Sequence, residues 1–113
     1  MPTVLVIEND VPAMRLMAWG LMAEGFEVAV AHVPEASDHL QKREPNFIVF
    51  NTLKRTDEKA RLVMRFRDLA PASTIVDISD VPHDDFTEIG ADVHLTLPIT
   101  MAALVETLNQ HRR

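Results

Sequence analysis

Three short runs of apolar and β-branched residues dominate this chain: Thr3 to Ile7, Phe47 to Asn51 and Thr74 to Ser79. None alternates apolar with polar, so each predicts a strand buried on both faces. Between them lie stretches of helical period. Asp10 can cap a helix that Pro12 starts and that runs to about Glu24, with Met14, Leu16, Met17, Leu21 and Met22 inward and Trp19 in the helix packing. Gly25 suits the left-handed residue after it, and Phe26 can fold back on it. Glu27 to His32 predicts a second strand, Pro34 to Gln41 a short helix, and Glu58 to Leu69 a helix with Leu62, Val63, Phe66 and Leu69 on one face. His83 to Ile89 predicts a brief helix ending at Gly90, and Val93 to Leu95 a fifth strand. Thr100 caps a last helix with Met101, Leu104, Val105 and Leu108 inward.

Five strands alternating with five helices require a parallel sheet covered on both faces. Right-handed crossovers then give a doubly wound α/β fold of flavodoxin-like order 2-1-3-4-5. In such sheets the functional crevice lies at the carboxyl ends of the strands. Glu8, Asn9, Asp10, Asn51, Thr52, Leu53, Ser79, Asp80, Leu97 and Pro98 should meet there. Asp77, inside a central strand, should be left wet by a short neighbouring helix or pair with an arginine.

With 47% apolar and 25% charged residues over 113 positions, one globular domain is expected, spanning 1–113 and framed as a complete unit by Met1 and the last helix. No cysteine is present, which removes disulfides, thiolate metal sites and a cysteine nucleophile. A net charge of −6, from 17 acids against 11 bases, argues against nucleic-acid binding. No apolar run has the length of a membrane span or a signal sequence, so a cytoplasmic protein without membrane contact is expected. His83, Asp84, Asp85 and Glu88 read as a loop cap and solvated helix start in preference to metal ligands. His94 reads as a surface or half-buried strand residue.

Val4-Leu5-Val6-Ile7-Glu8-Asn9-Asp10, Pro45-Asn46-Phe47-Ile48-Val49-Phe50-Asn51, Ile75-Val76-Asp77-Ile78-Ser79 and Gly90-Ala91-Asp92-Val93-His94-Leu95-Thr96-Leu97-Pro98 occur in this order. Together they resemble the receiver domains of bacterial two-component response regulators, in a degenerate, pseudo-receiver form. The resemblance covers essentially the whole chain. It places Glu8 at the first acidic position and Asn9 at the second. Asn51 stands at the phospho-acceptor aspartate, Ser79 at the switch hydroxyl, His94 at the aromatic switch residue and Leu97 at the phosphate-pairing lysine. An amide offers no anionic oxygen to attack phosphorus and little hold on a hard cation. The resemblance therefore implies no enzyme activity, no cofactor and at most weak Mg²⁺ binding.

What remains is a phosphorylation-independent signalling module that works through protein–protein interaction. Its partners would be a histidine kinase, another regulator, or a second copy in a homodimer. The contact face would comprise Asp84, Asp85 and Glu88 on a fourth helix about one turn of 3.6 residues shorter than usual, His94 on the fifth strand and Glu106 on the last helix. Two alternatives stand beside this: an active phospho-receiver using another acid such as Asp10, and a nucleotide- or flavin-binding protein on the same fold. The second is disfavoured because Glu8 to Pro12 holds no glycine to admit a phosphate.

Overall fold

The structure, a computed structural model, describes residues 1–51, 57–79 and 90–112. The chain runs β1 (Thr3–Ile7), α1 (Val11–Ala23), β2 (Glu27–Ala31), α2 (Val33–Lys42), β3 (Phe47–Asn51), α3 (Asp57–Leu69), β4 (Thr74–Ser79), β5 (Val93–Thr96) and α4 (Met101–Gln110). The five strands form one parallel sheet in the order β2-β1-β3-β4-β5. The expected short helix from His83 to Ile89, with Asp80, Asp84, Asp85 and Glu88, lies outside the described residues, as do Thr52 and Leu53.

The continuous apolar runs become the three inner strands because they alone can be buried on both sides. Every residue of β3 and β4 is buried, whereas the edge strands β2 and β5 are partly exposed. Successive side chains point to opposite faces, so each inner strand feeds two cores. On one face Leu5, Ile7, Ile48, Phe50 and Ile75 pack under α2 and α3, which contribute Ala36, Leu40, Val63 and Phe66. On the other, Val4, Val6, Val49, Val76 and Ile78 pack under α1 and α4, which contribute Met14, Leu21, Leu104 and Leu108. Each fully buried large side chain contributes roughly 1.5–3 kcal/mol.

Local signals set the helix ends. Asp10 accepts from the Ala13 amide at 3.1 Å, and Thr100 caps α4 through the Ala103 amide at 3.0 Å. Gly25 takes a φ of 92°, where a β-carbon is strained, and lets the Phe26 amide reach the Leu21 carbonyl. Asp92 fastens β5 to the rest of the domain. Its Oδ2 accepts from the Ile75 amide at 2.8 Å and pairs with Arg67 at 3.1 Å.

Helix α1 departs from the expected facing. Met14, Ala18 and Leu21 are its buried residues, while Leu16, Trp19 and Met22 are exposed. The sheet takes the Met14–Ala18–Leu21 stripe, and the opposite side of the helix turns outward with its apolar residues intact.

Candidate functional site

The carboxyl ends of β1, β3 and β4 bring Glu8, Asn51 and Ser79 together, all three buried. The register that pairs Ile7 with Phe50 sets Glu8 beside Asn51, and Asn51 pairs with Ile78 on β4. Ser79 pairs with Thr96, and its carbonyl accepts from the Leu97 amide at 2.8 Å. Leu97 packs with the apolar cluster under α1 and α4.

The turn after β1 directs its polar side chains to backbone. Glu8 Oε1 accepts from the Asp10 amide at 2.9 Å, and Asp10 Oδ2 caps α1. Asn9 is exposed and turns toward α2, where its Oδ1 accepts from the Val33 amide at 3.2 Å. The amides that could cradle a phosphate at this turn therefore already hold carboxylate oxygens. Asn51 differs. It is 8% exposed, and its Oδ1 has no hydrogen-bond partner among the described residues. A buried polar atom left this way costs about 1–3 kcal/mol unless something supplies a donor.

A hard divalent cation is held tightly where several carboxylates converge. Among the described residues Glu8 is the one carboxylate inside the crevice, beside one neutral amide oxygen, with Asn9 turned away and Asp10 engaged as a cap. That donor set does not fit a tightly held hard cation. Among the described residues no group of three or more His, Cys, Asp or Glu side chains comes together.

Burial pushes the Glu8 carboxyl above its ordinary value, and the charge of Asp10 adds to this, against the amides of Asp10 and Asn9, which lower it. The folded protein thus holds a proton at Glu8 more tightly than the unfolded chain does. Its contribution to stability is fully present below the ordinary carboxyl value and is lost as pH rises through the raised one. Glu8→Gln keeps an oxygen for the Asp10 amide and removes the titration. The variant should melt higher than wild type at pH 7, with the difference vanishing at pH 4. Thermal melts across that range check this, and a wild type more stable at pH 7 would contradict it.

A second polar centre lies one layer below the crevice. Asp77, in the middle of β4, is fully buried. It forms an ion pair with Lys59 of α3, itself 3% exposed, and accepts from His94 Nδ1 on β5 at 3.1 Å. The Lys59 ammonium also stands over the Phe50 ring, 5.3 Å from its centroid. Asp77 is therefore neither wet nor paired with an arginine, and His94 is the half-buried strand residue expected, with its ring turned to Asp77. Lys59 was legible in principle. It stands four residues before Val63 on the α3 stripe that Phe66 continues, and a cation on an apolar stripe opposite an acid within a strand is the signature of a buried pair.

No family model matches the chain, and no curated protein matches it. Solved structures do. The chemotaxis protein CheY4 of Vibrio cholerae is 21% identical, with 99% of each chain covered and a TM-score of 0.84. A two-component response regulator from Clostridium difficile is 16% identical over 98% of this chain and 95% of its own, with a TM-score of 0.86. A Burkholderia pseudomallei response regulator, solved with a phosphorylated aspartic acid and a calcium ion, is 22% identical over 96% of this chain and 66% of its own, with a TM-score of 0.81. At such identities the likeness speaks for architecture: the chain has the CheY-like fold of response-regulator receiver domains.

Proposed function

We propose that this chain is a phosphorylation-independent receiver-like module that signals by binding another protein, such as a histidine kinase or a second regulator. Asn51 carries the reading. A neutral amide at the end of β3 cannot attack phosphorus, and phosphoryl transfer depends on charge stabilisation that this crevice lacks. Leu97 adds apolar packing where a phosphate partner would be cationic. The engagement of Asp10 as the α1 cap weighs against its use as a substitute acceptor. The occupied amides of the β1–α1 turn weigh against a bound nucleotide or flavin.

Incubation with a small acyl phosphate and Mg²⁺ should leave the intact mass unchanged. A gain of one phosphoryl group mapped to the crevice would overturn the proposal. The contact surface proposed for a partner is Asp84, Asp85, Glu88 and Glu106, of which Glu106 alone is among the described residues. His94 leaves that set because it is committed to Asp77.

A further inference from the structure

Thr74 opens β4 and shares its side of the sheet with Val76 and Ile78, so its hydroxyl faces the carboxyl end of α4. It is 8% exposed, and among the described residues its Oγ1 makes no hydrogen bond. A nearly buried hydroxyl without a partner costs stability that a ligand oxygen would restore. Thr74 lines a recess of about 250 Å³, together with Pro2, Asn46, Ala72, His111 and Arg112. The recess lies at the amino ends of the strands, the opposite end of the sheet from Glu8, Asn51 and Ser79.

The polar groups around it are donors. Asn46 Oδ1 accepts from the Thr3 amide at 2.9 Å, which settles which end of the side-chain amide is oxygen. Nothing among the described residues accepts from its Nδ2. Arg112 gives Nη1 to Asn109 Oδ1 at 3.2 Å and keeps the rest of its fork. His111 Nδ1 donates to the Thr107 carbonyl at 2.9 Å, since a carbonyl only accepts. The Leu108 and Asn109 carbonyls take the amides of His111 and Arg112, so the negative end of α4 is bonded within its own turn. Among the described residues no carboxylate lines the recess. On a chain of net charge −6, which repels anions from most of its surface, that sets this place apart.

Donors from three elements suit an anion with three terminal oxygens, as a phosphomonoester has, better than a planar carboxylate. The guanidinium fork matches phosphate in particular. Pro2 and Ala72 add an apolar wall that an organic substituent can cover. We propose that this recess binds a small phosphomonoester. Asn46 Nδ2, the Thr74 hydroxyl and the Arg112 guanidinium donate to its phosphate oxygens, and its organic part lies against Pro2 and Ala72. Neither Asn51 nor the crevice takes part.

Titration of the whole chain with phenyl phosphate in phosphate-free buffer, followed through its amide NMR signals, should shift Ala72, Thr74, His111 and Arg112 to saturation. Inorganic phosphate should bind about fivefold more weakly, for want of the apolar contact. Thr74→Val keeps the shape of a strand residue and Arg112→Gln alters an exposed one, so both should stay folded by circular dichroism. Each should weaken binding about tenfold. Shifts that do not saturate overturn the proposal, as do shifts centred on Glu8 and Asn51 or an affinity unchanged in both variants. Equal binding of inorganic phosphate also overturns it, since the organic part would then touch nothing.

Discussion

Replacing Asp77 by leucine alone is expected to cost about 3–5 kcal/mol of folding stability, because it strips the buried Lys59 and His94 of their shared carboxylate. Whole domains are stable by only about 5–15 kcal/mol, so much of the variant should be unfolded under mild denaturant. The cost comes from the charge left behind and not from lost attraction. Desolvation of two ions offsets most of what their pairing contributes. Lys59→Met combined with Asp77→Leu should therefore recover most of the wild-type stability, since both positions face the apolar cluster of Phe50, Val63 and Phe66. Urea unfolding of the two single variants and the double variant measures the coupling. A single Asp77→Leu protein as stable as wild type would show that the cluster carries no net charge interaction.

Asn51→Asp is expected to be the second most damaging change, by about 1–3 kcal/mol at pH 8. It sets a carboxylate with 8% exposure next to Glu8, whose own carboxyl is already pushed up by burial. Two carboxylates sharing a site resist joint ionisation, so the added group also moves upward. The loss should shrink as the solution is acidified, because both groups then take up protons that the folded state favours. Millimolar Mg²⁺ should restore little, since Asn9 faces α2 and Leu97 adds no charge. Denaturation at pH 5 and pH 8, with and without Mg²⁺, separates these contributions. Strong stabilisation by Mg²⁺ would show that the crevice supplies ligands beyond these residues.

The sheet was readable in the chain because burial on both faces leaves a plain mark. β1, β3 and β4 coincide with the apolar runs Thr3–Ile7, Phe47–Asn51 and Thr74–Ser79. The edge strands, half exposed, shifted by a residue at their ends, and α2 gained one at each end. Helix α1 was harder. Nearly all its residues are apolar, so periodicity separates Met14, Ala18 and Leu21 poorly from Leu16, Trp19 and Met22. Which side meets the sheet is decided by packing across the domain. The site followed the same division. Asn51, Glu8 and Ser79 could be placed from strand ends alone. The turning of Asn9 to Val33 depends on where α2 begins, 24 positions away along the chain. Asp77 declared itself as an anomaly, but its partners come from α3 and β5, and only the folded chain brings them together.

The turn after β1 also limits how this crevice can change over generations. Glu8 holds an amide of its own loop, Asp10 an amide in the first turn of α1, and Asn9 the first amide of α2. Two of the three are thereby turned away from Asn51, and Glu8 keeps one oxygen on its own loop. A lineage carrying this turn reaches a cation-binding crevice only through several substitutions, and the step at Asn51 lowers stability before any later one can compensate. Drift across the exposed surface stays open, while drift into the crevice meets a barrier set by three side-chain oxygens bound to backbone amides.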